Sequence, residues 1–189
     1  MSAPTLRWDP DPEVWFVGPT DERPYRTWHP EAVKLVKRLF EVSDDQKDIV
    51  QYITAILERI GADTDPDWLP YRLIGWPVLE QIPFVVSYGL VQKHPDLEDY
   101  LVARGQGVVE APIVVETTRE DGGTARRAVA YYEDARGLMI NVRVLVDFGD
   151  DDVVALVDSA TRDPKVLAAF LDDVDRFVTG LSLDRGRDR

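Results

Sequence analysis

The stretch GLMINVRVLVDF, residues 137–148, places apolar side chains at every second position. Successive side chains of a β-strand point to opposite faces, so this period predicts a strand with one buried face. We expect the buried face to carry Ile140, Val142, Val144 and Val146. The opposite face then carries Asn141, Arg143 and Leu145.

The segments around this strand predict an antiparallel meander. Residues 113–119 are expected to form a strand and residues 125–134 the returning strand, and between them lies the turn Glu120-Asp121-Gly122-Gly123, which is typical of a hairpin. Residues 153–161 form the next strand after the acidic run 147–152. That run lacks the spacing of a calcium loop and favours a solvated hairpin tip.

Helical spacing of apolar residues appears in three places. Pro30 suits the first position of a helix that extends to Glu41, and Ser43 or Asp44 suits the cap of a second helix that closes at Gly61. Asp163 and Pro164 are good N-cap and first residues for a final helix. That helix should pack on the sheet through Phe170, Val174 and Phe177.

Shorter elements complete the prediction. Strands are expected at residues 13–19, 68–76 and 82–92, and a short helix or turn at 95–104. The fold class is therefore α+β: an antiparallel β-sheet meander flanked by helices, with an N-terminal helical hairpin and a C-terminal helix packed on the sheet. We expect one domain over residues 1–181 and a short flexible tail over 182–189.

This order of elements resembles the PsbP-like fold, an antiparallel sheet with helices on both sides. The resemblance rests on the opening strand Trp15-Phe16-Val17-Gly18-Pro19, the meander of residues 126–161 and the helix after Asp163-Pro164. It implies a binding or accessory protein without catalysis of its own. No functional residue carries over, because no functional motif matches.

The charge balance excludes several classes of partner. The chain has 22 basic and 35 acidic residues and a net charge of −13, which opposes binding to nucleic acid and to anionic lipid.

No apolar run is long enough to span a membrane, and the first residues show no signal-peptide pattern. The absence of cysteine excludes disulfides and thiolate chemistry and predicts a cytoplasmic protein. Arginine makes up 17 of the 22 cations, which is typical of a GC-rich bacterial genome.

Catalytic and cofactor motifs are missing from the sequence. His29 and His94 each precede a proline and have no metal-ligand spacing, so we predict no metal and no cofactor. Val86-Ser87-Tyr88-Gly89 lacks the first glycine of a nucleophile elbow. We name no catalytic residue.

A cluster of three aromatic residues and one arginine remains as a candidate partner-binding site, namely Trp68, Tyr71, Arg72 and Trp76. Trp, Tyr and Arg anchor many protein interfaces. On a strand Trp68, Arg72 and Trp76 share one face and Tyr71 lies on the other. The alternative is that these side chains cover the core beneath the helical hairpin.

The sequence thus predicts a bacterial accessory protein of the secretion, chaperone or immunity type, which binds another protein and is not an enzyme. One alternative is a small hydrolase or transferase whose site assembles only in space. Another is a small-molecule-binding domain with a pocket between sheet and helices. A polar pocket with two titratable groups in contact would favour the enzyme, and an exposed aromatic patch would favour protein binding.

Overall fold

A computed structural model describes residues 4–62, 68–105, 107–149 and 152–185 of the chain. Within these residues the predicted fold class is confirmed: a seven-stranded antiparallel sheet has helices on both faces, and a two-stranded sheet joins the chain ends. The elements in chain order are β1 Thr5–Arg7, β2 Phe16–Val17, α1 Tyr25–Leu39, α2 Lys47–Ala62, β3 Tyr71–Gly75, β4 Phe84–Gln92, α3 Asp96–Leu101, β5 Ile113–Thr118, β6 Thr124–Asp134, β7 Gly137–Asp147, β8 Val153–Thr161, α4 Pro164–Gly180 and β9 Ser182–Asp184.

The large sheet has the strand order β2-β3-β4-β8-β7-β6-β5, so β5 to β8 form the predicted meander. β7 lies between β6 and β8, and Val142 pairs with Val129 on one side and Ser159 on the other. The predicted register of β7 is confirmed, because its even-numbered face from Ile140 to Val146 is fully buried. The other face is buried as well, because α3 packs against it.

Helix α4 covers one face of the sheet. Its start is the predicted one: the Asp163 carboxylate accepts the backbone N–H of Lys165 at 2.8 Å. The ring of Phe170 stacks on Phe84 with centroids 5.3 Å apart, and Phe177 meets Tyr88 edge-on at 5.0 Å. The predicted packing of the closing helix on the sheet is therefore confirmed.

The opposite face of the sheet is covered in two places. The hairpin of α1 and α2 packs on β3 and β4 and forms a core of its own around Trp28, Ile53 and Ile74. Helix α3 packs on β6, β7 and β8 through Leu97 and Leu101. The sheet surface between the helical hairpin and α3 forms the floor of the candidate functional site.

The start of α1 differs from the prediction. The helix begins at Tyr25, and Pro30 lies inside it. A proline inside a helix costs about 3 kcal/mol, because it removes one backbone hydrogen bond and crowds the preceding turn. The extra turn is anchored by Trp28, which is fully buried and donates its indole N–H to the carbonyl of Val17 at 2.8 Å. Burial of this large side chain offsets the cost.

Three strands are shorter than predicted by two residues or more. β3 and β4 begin only after Pro70 and Pro83, because proline has no N–H to donate to the sheet. The opening strand is reduced to Phe16–Val17, since the carbonyl of Asp11 accepts the N–H groups of Val14 and Trp15 and bends the chain into a turn.

The chain end also differs from the prediction of a flexible tail from residue 182. Ser182–Asp184 forms β9 and pairs with β1, where Leu6 lies opposite Leu183. Both leucines pack against the core under α4, and that apolar contact holds the end of the chain in place. Residues 186–189 of the predicted tail lie outside the described residues.

Candidate functional site

A cleft of about 360 Å³ opens on the sheet face between the helical hairpin and α3. We call it the Trp68 cleft. The end of α2 and the segment before β3 form its walls, and β3, β4 and β8 form its floor. Its lining includes Ile60, Trp68, Leu69, Arg72, Ser87 and Asp158. The site therefore combines an aromatic wall with a polar floor.

The floor of the Trp68 cleft is held by a network around Asp158. Asn141 donates its amide N–H to one carboxylate oxygen of Asp158 at 2.9 Å and to the carbonyl of Ser159 at 3.1 Å. The hydroxyl of Tyr100 donates to the second carboxylate oxygen. Both oxygens of Asp158 thus have a donor, and the network links α3 to β7 and β8.

Arg143 adds positive charge beneath this network. Its guanidinium lies over the ring of Tyr100, 4.0 Å from the centroid, and its Nε is 3.9 Å from an oxygen of Asp158. A cation over an aromatic face is attracted by the ring quadrupole. Arg143 also donates to the backbone carbonyl of Tyr100, which fixes the end of α3 on the sheet.

The protonation state of Tyr100 follows from its surroundings. Burial raises the pKa of Tyr100, and the nearby Asp158 carboxylate raises that pKa further, because both disfavour a phenolate. Tyr100 therefore keeps its proton at neutral pH and acts as a hydrogen-bond donor. Its ring also meets the indole of Trp68 edge-on, with centroids 5.9 Å apart.

Of the four predicted site residues, the structure brings two to this cleft. The indole of Trp68 is 39% exposed at the cleft wall. Arg72 is 7% exposed on the floor and donates to the carbonyl of Ile60 at the end of α2. Trp68 is thus the accessible aromatic group of the site.

The other two predicted residues lie elsewhere. Trp76 is 7% exposed and packs between Phe40 and Tyr52 in the hairpin core, with centroids at 6.1 Å and 6.4 Å. Tyr71 is 36% exposed but lies on the α4 face of the sheet, where its ring is 5.4 Å from Tyr88. The two faces follow the predicted alternation, whereas the partner-binding role of the group stays a prediction.

Sequence reasoning missed Ser87, Tyr100 and Asp158. One signal was present: Arg143 and Asp158 are a directly opposed pair in the β7–β8 hairpin, and both interrupt apolar runs. Opposite charges at paired positions on one face indicate a polar site on that face. Ser87 and Tyr100 come from distant segments, and their position here depends on the pairing of β4 with β8 and the packing of α3.

Among the described residues, no group of three or more His, Asp or Glu side chains is arranged to hold an ion. His29 contacts the carbonyl of Thr54 at 3.2 Å between α1 and α2, and His94 lies at the exposed start of α3. In the described part of the chain, neither histidine lines the Trp68 cleft. The same residues include no helix that is both long and apolar enough to cross a membrane.

Comparison with known proteins gives a structural likeness only. No family model and no curated protein matches the chain. Among solved structures, the chain is similar to LpqN of Mycobacterium tuberculosis, described as involved in cell envelope biogenesis, with a TM-score of 0.51 and 11% identity over 96% of this chain and 84% of that one. At this identity the likeness concerns the fold alone. It does not confirm the PsbP-like resemblance, and the predicted cytoplasmic location stays a prediction.

Proposed function

We propose that this chain is a non-catalytic accessory protein that binds another protein at the Trp68 cleft. The observation that carries the proposal is the half-exposed indole of Trp68 beside a floor that carries Arg72, Ser87 and Asp158. Trp and Arg side chains in well-packed pockets contribute much of the binding energy of many protein interfaces. A partner side chain in the cleft would contact the indole and the polar floor together.

The rigidity of the floor supports the same conclusion. Asp158 is held by Asn141 and Tyr100, and the end of α3 is held by Arg143. Groups that are fixed before binding lose little conformational entropy when a partner arrives. The network therefore favours recognition of a partner by a surface that is already formed.

The structural neighbour adds support of a general kind. LpqN is described as involved in cell envelope biogenesis. An accessory role in such a process would agree with a binding protein that acts through partners. The finer assignment to secretion, chaperone or immunity systems is part of the proposal.

One observation favours an alternative, a catalytic site assembled in space. Tyr100 and Asp158 are two titratable groups in direct contact beside the cleft. However, the Tyr100 proton is engaged by Asp158, the raised pKa of Tyr100 opposes its use as a base, and both Asp158 oxygens already accept hydrogen bonds. The pair thus serves to hold α3 on the sheet.

A differential capture experiment tests the proposal. The wild-type chain and the variants Trp68→Ala and Ser87→Gln are immobilised, exposed to a lysate of the source cells, and the retained proteins are quantified by mass spectrometry. Leu39→Ala is the matched control, because Leu39 is an exposed apolar residue at the end of α1. Thermal melts confirm that each variant is folded.

We expect at least one protein to be retained by the wild type and by Leu39→Ala, and to be lost with both cleft variants. A set of retained proteins that is the same for all four chains contradicts the proposal. A small molecule released from the purified wild type on denaturation, and absent from Trp68→Ala, would instead establish the small-molecule-binding alternative.

A further inference from the structure

Strand β5 is an exposed edge of the large sheet. It ends the strand order, and within the described residues no strand pairs with its outer side. All six of its residues are exposed, including the apolar Ile113, Val114 and Val115. A row of unpaired backbone N–H and C=O groups next to apolar side chains is a template for another strand.

The two edges of the sheet are built differently. At the other edge, β2 is only two residues long, which gives an incoming strand little to pair with. Native proteins protect edges with short strands, charges, lysine or proline. Pro112 directly precedes β5 and Glu116 lies within it, whereas residues 113–115 carry no charge and no proline. Residues 113–115 are therefore the part of this edge that an incoming strand could pair with.

The inner partner of β5 shows which chemistry the strand accepts. In β6, Val129 lies opposite Ile113, and Arg126 lies opposite Glu116. The Glu116 carboxylate is 3.4 Å from the Arg126 guanidinium and is largely exposed. Each β5 side chain can contact a paired residue on the inner strand and another on a strand added at the outer side. An added antiparallel strand would therefore lie opposite the same β5 side chains, in the same order, as β6 does.

We propose that the outer edge of β5 binds an extended segment of a partner protein, which adds as an antiparallel strand. This segment carries apolar residues opposite Ile113 and Val114 and a basic residue opposite Glu116. The net charge of −13 favours a basic segment in the same way. Backbone hydrogen bonds supply affinity in this mode of binding, and the alternating side chains supply specificity.

A second copy of the chain fits this edge less well. Two copies would each bring a net charge of −13 and would repel each other. The strand is also only six residues long, whereas a stable dimer buries roughly 1,200–2,000 Å². A short flexible segment needs far less surface.

The β5 edge is separate from the Trp68 cleft, and the proposal goes beyond the function proposed above. The floor of the cleft is formed by β3, β4 and β8, and both β7 and β6 lie between β8 and β5. Loss of binding at one surface therefore leaves the other intact. Each proposal can fail without the other.

The test uses a fluorescent peptide with the sequence of residues 124–131, Thr-Ala-Arg-Arg-Ala-Val-Ala-Tyr, which is the strand that β5 already accepts. Fluorescence anisotropy measures its affinity for the full chain, and hydrogen exchange measures protection of the β5 amides. The control peptide has both arginines replaced by glutamate. Binding to the variant Trp68→Ala is measured in parallel and should be unchanged.

Two variants of the chain are compared. Val114→Lys introduces the protection that β5 lacks, and Val78→Lys is the matched control, because Val114 and Val78 are 42% and 43% exposed and Val78 lies in the loop between β3 and β4. We expect saturable binding below about 1 mM, a loss of about tenfold or more with Val114→Lys, and no loss with Val78→Lys. The β5 amides should become protected when the peptide binds.

Three results would overturn the proposal. They are an absence of binding by the arginine peptide at about 1 mM, equal affinities for Val114→Lys and Val78→Lys, or binding without protection of the β5 amides. Sedimentation analysis provides a fourth such result. If the wild-type chain is a dimer and the Val114→Lys variant is a monomer, a second copy of the chain occupies the edge.

Discussion

Single residues in the turn between β5 and β6 hold the end of α4. The Arg119 guanidinium donates to the carbonyl of Val178 at 2.8 Å and to that of Leu181, both at the C-terminal end of the helix. Asp121 lies 3.1 Å from the same guanidinium. A cation at the C-terminus of a helix also interacts favourably with the helix dipole.

The first prediction concerns Asp121. A hydrogen bond from Arg119 lowers the pKa of Asp121 below its ordinary value of 3.8. A carboxylate with a lowered folded-state pKa stabilises the fold above its ordinary pKa, and this contribution is lost as pH falls through the lowered value. We expect Asp121→Asn to reduce the free energy of unfolding at pH 7 by less than about 1 kcal/mol, because the Asp121 carboxylate is 44% exposed and water screens its attraction to Arg119.

Urea unfolding measures this difference as a function of pH. The deficit of Asp121→Asn should shrink toward zero as the pH falls below 3.8, since the wild-type carboxylate is then protonated too. Asp172→Asn, an exposed carboxylate on α4, removes the same charge and serves as the control. A deficit that persists unchanged in strong acid contradicts the assignment.

The second prediction concerns Tyr100. Tyr100→Phe removes the hydroxyl that donates to Asp158, and hydrogen bonds to charged groups contribute about 1.5–3 kcal/mol. We expect a loss of about 1–2 kcal/mol in the free energy of unfolding, since Asp158 keeps the bond from Asn141 and is partly exposed to water. Tyr52→Phe, at an exposed position on α2, should change the stability by less than about 0.5 kcal/mol.

At the scale of elements, the fit between α4 and the sheet depends on one glycine. A Cβ atom on Gly75 would lie 2.3 Å from the Phe170 ring, which is closer than any real contact. Phe170 itself is buried, stacks on Phe84 with centroids 5.3 Å apart and lies at an angle to Trp15 with centroids 5.2 Å apart. Strand β3 therefore needs a residue without a side chain where the helix ring meets it.

The third prediction is a double-mutant cycle on this contact. Phe170→Ala should cost about 3–5 kcal/mol, because it leaves a cavity between α4 and the sheet. Gly75→Ala should destabilise the wild type by about 1–3 kcal/mol through overpacking. In the Phe170→Ala background the added methyl group finds space, so Gly75→Ala should cost less than about 0.5 kcal/mol there. Additive losses in denaturant unfolding would show that the two residues do not touch.

The sequence predicts best those elements whose signals are local. The Asp163-Pro164 cap and the alternation from Ile140 to Val146 are both confirmed, because each depends on neighbouring residues only. The start of α1 is missed, since burial of Trp28 against Val17 outweighs the local preference of Pro30. Tertiary packing decides such positions, and a single sequence does not show it.

The candidate site is predicted only in part for the same reason. Trp68 and Arg72 are found from composition alone, because aromatic and arginine side chains are common anchors. Tyr100 and Asp158 are 58 residues apart, and they meet only through the packing of α3 on β8. The residues on the floor of the Trp68 cleft can therefore be predicted only when it is known which strands pair with each other.

At the scale of the whole molecule, a basic surface on α1 stands against the acidic excess. Lys34, Lys37 and Arg38 on α1 line a shallow depression together with Glu41. Lys37 also forms an ion pair with Asp44, which offsets part of this charge. A duplex approaching this surface would still meet the field of a chain with a net charge of −13.

The last prediction follows from this balance. We expect no binding of a labelled DNA or RNA duplex with micromolar affinity at about 150 mM salt, because few phosphates can be neutralised and few counterions released. Fluorescence anisotropy measures the affinity, and the double variant Lys34→Glu with Arg38→Glu is the control for the α1 surface. Any weak binding at about 20 mM salt should disappear in this variant, since α1 carries the described cluster of basic residues. Micromolar affinity at the higher salt, lost in the double variant, would show that three cations on one helix outweigh the charge of the whole chain.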